Sequence, residues 1–248
     1  MKSNLYFLAA FVGLLGFTSC LKHEIPIPPP PTHTDSVTTS KNDTDLTLTL
    51  RPDSTTGQDA YISKLDGTTY NDGGVNLNWT HEIVMSRWSL FQYNFDTATQ
   101  RSYIRFDGLA GISDTATVTS AVLYLYGETS SITFPYGNSY YPNSNNPPNP
   151  GLVQQVVGGT WDQTTIDFNN APALTSVGQD TIPASTSEWS YNVAIDVTNL
   201  VKGMVSSPST NYGFGLRLMT ENIYRDMVFG TCEVPDSTLR PQLVVRYH

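Results

Sequence analysis

Leu46-Thr47-Leu48-Thr49-Leu50 alternates apolar and polar side chains without a break. Successive side chains of an extended chain point to opposite faces, so this stretch reads as a strand with one buried face. The same period of two returns at Tyr103-Ile104-Arg105-Phe106 and at Phe214-Gly215-Leu216-Arg217-Leu218. Short apolar or alternating runs at 121–126, 152–157, 191–197, 227–229 and 243–247 carry the pattern to the C-terminus, and Asp72-Gly73-Gly74, Gly158-Gly159, residues 169–172 and residues 206–208 supply turn chemistry between runs. Many short strands with no helix between most of them predict an all-β fold, an antiparallel β-sandwich of jelly-roll type. One segment departs from the period. Val197, Leu200, Val201, Met204 and Val205 fall at helical spacing, which predicts one short helix, capped by Asp196 or Thr198 and closing one end of the sandwich with its apolar stripe.

Upstream of the first strand the chain reads differently. Lys2 precedes an uncharged stretch from Leu5 to Phe17, and Phe17-Thr18-Ser19-Cys20 puts small residues directly ahead of a cysteine. A bilayer-spanning helix needs about 20 apolar residues, and this run is shorter and ends at a processing signal. The expected organisation is a lipoprotein signal peptide over residues 1–19, a lipid-anchored Pro/Thr/Ser-rich stalk over 20–45, and a sandwich domain over 46–248. The Cys20 segment resembles a lipobox, with Cys20 as the lipid anchor; the competing reading is an ordinary secretory signal with an incidental cysteine. Leu21 after the cysteine resembles lipoproteins that are not retained at the inner membrane, so the expected address is the outer membrane or cell surface. Pro26 and the run Pro28 to Pro31 favour extended geometry in the stalk.

Charge and cysteine content narrow the function classes. The chain has 13 Lys+Arg against 22 Asp+Glu, a net charge of -9. Nucleic acid is an unsuitable partner, because binding requires a basic footprint that displaces counterions. Strongly acidic polysaccharides are disfavoured for the same reason unless calcium bridges them. Lipidation of Cys20 would leave Cys232 as the only other cysteine, either a reactive thiol or a small buried hydrophobe.

Two stretches read as insertions. The first, about 66–100, carries Trp79, Trp88, Phe91, Tyr93 and Phe95; the second, 131–150, carries Phe134, Tyr136, Tyr140 and Tyr141 among Asn, Ser and Pro. Sugar rings present apolar C–H faces that stack on exposed aromatics while amide and carboxylate groups take the hydroxyls. The candidate carbohydrate-binding residues are therefore Trp79, Trp88, Tyr136, Tyr140, Tyr141 and Trp189.

Several motifs taken in order carry a family resemblance. Residues 229–247, Phe229-Gly230-Thr231-Cys232-Glu233-Val234-Pro235-Asp236-Ser237-Thr238-Leu239-Arg240-Pro241-Gln242-Leu243-Val244-Val245-Arg246-Tyr247, resemble the C-terminal signature of the DNRLRE domain. Leu48 to Pro52 and Asp59-Ala60-Tyr61-Ile62 look like that family's opening, Tyr103 to Asp107 and Val118 to Tyr126 like two of its strands, and Trp161-Asp162 with Phe168 to Pro172 like its Trp-and-Asn stretch. Asp196 to Val201 is similar to its helix start. The resemblance spans about 46–247. It implies a β-sandwich module of secreted surface proteins, also classed among carbohydrate-binding modules, that binds rather than catalyses; some members accompany alginate-degrading enzymes. Asn71 to Gly74 and a longer aromatic insertion stand where the family has a Pro-x-x-Asn-Tyr-Gly segment, and the acidic balance argues against alginate.

Catalytic chemistry is poorly supplied. Of the four histidines, His23 and His33 lie in the stalk and His248 is the terminal residue, leaving His81 inside the fold, so any Ser/His/Asp or Cys/His site would have to use it. Acids are plentiful but no spacing marks a glycosidase pair. No cofactor is implied with certainty. Calcium is possible, with Asp53, Asp66 and Asp72 as candidates by composition alone. The expected partners are a polysaccharide or glycan, a membrane through the lipid anchor only, and surface proteins. The leading expectation is a surface-anchored, non-catalytic carbohydrate-binding module; the alternatives are a structural or adhesive surface lipoprotein that contacts another protein, and, less favoured, a lyase or hydrolase.

Overall fold

The computed structural model describes residues 36–39, 45–66, 74–90, 96–141 and 145–248. The expected signal peptide, Cys20, the proline run and Asp72 lie outside the described residues.

Among the described residues thirteen strands form two antiparallel sheets. One sheet holds β1 (Ser36–Thr39), β2 (Leu46–Leu50), β13 (Gln242–Tyr247), β7 (Val118–Leu125) and β10 (Val193–Asp196), hydrogen-bonded in that order. The other runs from β12 (Arg225–Gly230) through β5 (Glu82–Leu90), β6 (Asp96–Phe106), β11 (Phe214–Leu218) and β8 (Gly151–Val156) to β9 (Leu174–Ile182). β3 (Gly57–Asp66) pairs with β6 along its whole length and holds the two-residue β4 (Val75–Asn76) on its other edge. This is the all-β sandwich the alternation predicted. The sheet takes up Ser36–Thr39, inside the stretch read as stalk, because that β-branched run pairs antiparallel with β2.

Inward-facing residues of both sheets make the main core, among them Leu50, Ile104, Leu123, Phe214, Phe229 and Leu243. The one α-helix among the described residues, α1 (Thr198–Ser206), places Leu200, Val201, Met204 and Val205 in this core. Its start is set by Asp196, whose Oδ1 accepts from Thr198 N–H at 2.9 Å.

The second sheet forks at β6. β5 pairs with β6 only from Ser86 to Leu90, and β11 takes the same strand at residues 102–104. At the fork the Ser102 hydroxyl donates to Val84 O at 2.9 Å and accepts from Val84 N–H at 2.8 Å, standing in for a missing strand. Buried backbone groups must find partners, and here a side chain supplies both.

Two satellite clusters lie beyond the main core. Ala60 and Ile62 of β3 pack with Tyr103, Trp161 and Ile166; Tyr61 of the same strand packs with Val84, Phe134 and Val228. β3 is thus covered on both faces. The first insertion, 66–100, is largely sheet: β5 and the first half of β6 replace the expected loop. The second, 131–150, keeps no regular element among its described residues. Among the described residues no helix is long and apolar enough to cross a membrane.

Candidate functional site

The 131–141 segment is an irregular loop held like a strand. Glu82 of β5, 4% exposed, accepts from Ile132 N–H at 2.6 Å and from the Thr133 hydroxyl at 2.6 Å. Ser131 Oγ accepts from Phe134 N–H at 2.8 Å. Farther along, Asn138 and Ser139 pair with β12 through side chains: Asn138 Oδ1 accepts from Val228 N–H at 3.0 Å, and Ser139 Oγ from Asp226 N–H at 2.9 Å. Asn149, fully buried, donates to Asp226 O at 2.6 Å and to Ser185 Oγ at 3.0 Å. The loop therefore blunts the β12 edge, which would otherwise expose unpaired backbone groups.

Gly137 is needed at the turn. Its φ is 65°, and a Cβ there would stand 2.4 Å from Glu188 O and 2.9 Å from Trp189 Cε2. The loop consequently lies directly on Glu188 and Trp189.

Between this loop and the β5–β6 hairpin opens a cleft of about 740 Å³, lined by Trp88, Phe134, Tyr136, Tyr141, Asn138 and Gln100, together with Thr133, Asn146, Glu188 and Asp226. Trp88 is half-buried and meets two rings edge-on, Phe134 at 6.2 Å and Tyr224 at 5.3 Å between centroids. Edge-to-face packing of this kind fixes the orientation of the ring. Tyr136 stands at the rim, 80% exposed. No basic side chain is among the described residues that line the cleft.

Asp226 is the unusual acid. It is 2% exposed, its Oδ1 has no hydrogen-bond donor, and burial pushes its carboxyl up to about 7, against a smaller opposing effect of the Ser139 hydroxyl. An acceptor buried without a partner costs about 1–3 kcal/mol, and such costs collect at working sites.

Of the six aromatics singled out in the sequence, Trp88, Tyr136 and Tyr141 line the cleft, and Trp189 lies under its Gly137 turn. Tyr140 is half-buried, its carbonyl accepting from the Ser185 hydroxyl, and does not line it. Trp79 sits on a short 3-10 turn after β4, 66% exposed, and does not line it either. Phe134, Asn138 and Asp226 were absent from the candidate set. Phe134 stood among the quoted loop aromatics, but nothing local marks Asn138 or Asp226, which come together only through long-range pairing of the loop with β12.

A second, more polar groove of about 580 Å³ crosses the outer face of β6, β8 and β11. Its arginines are already engaged: Arg101 grips Glu221 at 2.7 and 3.0 Å and lies over Phe168, while Arg217 donates to Gln154 at 2.9 Å. Cys232 is 1% exposed, and burial raises its thiol well above the usual range, which makes it a small core residue rather than a nucleophile. His81 is exposed, with Nδ1 3.0 Å from Glu233, and lines none of the cleft. Asp236 caps the Thr238 N–H at 2.9 Å, and Arg240 donates to Val234 O at 3.1 Å, so the two charges four residues apart are used separately.

A family model, carbohydrate-binding module family 96, matches residues 52–247. The chain belongs to this family. No curated protein matches it. The module assignment fits the cleft, which offers ring faces and hydrogen-bonding groups in one concave surface, as sugar recognition requires. It also bears out the carbohydrate-binding-module resemblance carried by the Asp59–Ile62 opening and the 229–247 signature.

Proposed function

We propose that this carbohydrate-binding module captures a neutral polysaccharide in the cleft between the 131–141 loop and the β5–β6 hairpin, without cleaving it. The observation that carries this reading is the lining itself: the accessible rings of Trp88, Tyr136 and Tyr141 beside Asn146 and the exposed Glu188, with no basic group among the described lining residues. Ring faces stack on the sugar, and Asn146 and Glu188 take its hydroxyls. An anionic chain would meet the exposed Glu188 without a compensating cation. The fixed loop reduces the ordering cost of binding.

The test is retardation of the purified chain in native gels containing neutral or anionic polysaccharides. Retardation by a neutral polymer, abolished in Tyr136→Ala, supports the reading; retardation by none of them, or by acidic polymers alone, discards it. We further infer that the module is exported and held at the outer membrane or cell surface by lipid on Cys20, an inference that rests on the N-terminal sequence. Membrane fractionation of parent and Cys20→Ser chains tests this part: the parent should sediment with membranes and the variant should not.

A further inference from the structure

The cleft lining stops at Trp88, but the sheet surface that carries Trp88 continues. β12 and β5 pair Asp226 with Ser86 and Arg225 with Arg87, while Ser86 and Trp88 of β5 stand opposite Gln100 and Ala98 of β6. Residues directly opposite in a ladder share one face. Asp226, Ser86 and Gln100 therefore make one row, and Trp88 and Ala98 belong to the next row outward. One further step along the β12–β5 register places Tyr224, the residue before β12, opposite Trp88 in that outer row. Its ring meets Trp88 edge-on with centroids 5.3 Å apart, and Tyr224 remains 42% exposed. The cleft loop leads to the same place: Asn138 pairs with Val228 and Ser139 with Asp226, so the loop runs antiparallel to β12 and carries Tyr141 toward its Tyr224 end.

The backbone of Tyr224 is unusual. Its φ of 64° lies in the left-handed region, shared among the described non-glycine residues only by His81 and Ser190. A bulky side chain is disfavoured there, and such strain persists only where the surroundings over-determine it. The turn between β11 and β12 is fixed from several sides. Met219 N–H donates to Pro150 O at 2.8 Å and Asn222 N–H to Thr220 O at 2.8 Å. Arg101 grips the Glu221 carboxylate at 2.7 and 3.0 Å, and Arg225 Nε donates to Pro148 O at 2.9 Å. Each of these bonds is made by another residue, so glycine at 224 would serve the turn with less strain. What the tyrosine adds is its ring, held beside Trp88 and accessible. Met219 and Ile223 of the same turn, 41% and 42% exposed, widen the apolar surface around it.

We propose that Tyr224 is a further sugar-binding residue: the glycan passes from the cleft across Trp88 and lays a neighbouring sugar unit on the Tyr224 ring, so that the module grips several consecutive units of a chain rather than a single terminal sugar. The inference rests on the reading of the cleft as the glycan site and names the kind of ligand that site takes. Accessible rings on two separate elements, Tyr136 on the loop and Tyr224 on the β11–β12 turn, flank the half-buried Trp88. Successive sugar units each present an apolar face, and each needs its own ring to stack on. Because the turn is already fixed, the Tyr224 ring is ordered before the ligand arrives, which lowers the ordering cost of binding.

Calorimetric titration of the purified chain with graded oligosaccharides of β-glucan, mannan and xylan, alongside thermal unfolding, tests the proposal. In a series that binds, the parent should gain affinity with chain length. Tyr224→Ala should lose about tenfold in affinity for the longest member and stay within about twofold of the parent for the shortest member that binds. Tyr224→Phe keeps the ring and should keep the length profile. Tyr224→Gly separates ring from backbone: it should lose the same affinity as Tyr224→Ala at a higher Tm, because glycine adopts the left-handed region freely. An affinity of the parent that does not grow with length overturns the proposal, as does an unchanged affinity of Tyr224→Ala for the longest member. An equal loss for short and long members also overturns it, since the ring would then act only by holding Trp88. Binding of no neutral series discards the cleft reading and this inference together, whereas binding that is lost in Tyr136→Ala but survives in Tyr224→Ala overturns this inference alone.

Discussion

Asp226 and Asp59 are both aspartates on strands of the forked sheet, both nearly inaccessible, and both left with an Oδ1 that no protein donor reaches. Their surroundings differ. Asp226 lines an open cleft whose other walls are aromatic rings and amides, whereas Asp59 is enclosed beside Cys232, whose N–H donates to its Oδ2 at 2.6 Å. Both unpaired oxygens are closed off from solvent, and the cost of each is carried by the packing around it, the Ser139 and Asn149 loop for Asp226 and the Cys232 turn for Asp59.

The largest effect that sharpens this contrast is expected at Glu82, which holds the cleft loop. Glu82→Ala removes the acceptor of the part-buried Ile132 N–H and Thr133 hydroxyl and should destabilise by about 1–3 kcal/mol, read by denaturant unfolding, with glycan retention lost. Next comes Tyr136→Ala. This exposed ring supports no core, so Tm should stay within about 2 °C of the parent while affinity falls about tenfold, the equivalent of roughly 1.4 kcal/mol of stacking; a matching drop in Tm would mean that the residue is structural.

A smaller, pH-dependent effect belongs to Asp226. Its folded-state carboxyl is raised to about 7 from an ordinary value of 3.8, so the folded chain holds a proton that the unfolded chain releases. Stability contributed by the neutral form is complete below about pH 4 and is lost as pH rises through 7. Asp226→Asn should therefore gain stability on the parent progressively from pH 4 to pH 7 and level off above it, and a constant difference across that window would show that the carboxyl does not titrate in place. The smallest effect is at Trp79. Although exposed and aromatic, it lines no part of the cleft, and Trp79→Ala should leave glycan retention unchanged within about twofold, an effect below the tenfold expected of a stacked ring.

The sequence disclosed the parts of the fold in which one face meets water. Leu46–Leu50 and Phe214–Leu218 appear as strands at the boundaries the alternation implied, and the spacing of Leu200, Val201, Met204 and Val205 located the helix. It concealed β5, because Ile83 and Met85 face the main core while Val84 faces the Phe134 cluster and Glu82 and Ser86 are buried polar groups; covered on both faces, the strand shows no period of two. It concealed β9 for the opposite reason, since most of that edge strand is exposed and polar. In the cleft, Trp88, Tyr136 and Tyr141 were legible as aromatics in polar surroundings. Asp226 was not, since what makes it unusual is the Ser139 and Asn149 packing contributed by a loop far along the chain.

The central claim, that sugar is held against the Trp88 face of the cleft, is tested most directly by ¹⁹F NMR of the chain carrying 5-fluorotryptophan, with resonances assigned by Trp→Phe substitution and titrated with an oligosaccharide of a retained neutral polymer. The account predicts that the Trp88 resonance moves and saturates while that of Trp161, buried in the separate Tyr103 cluster, stays in place. Saturable binding that leaves Trp88 unmoved and shifts Trp161 instead would contradict it.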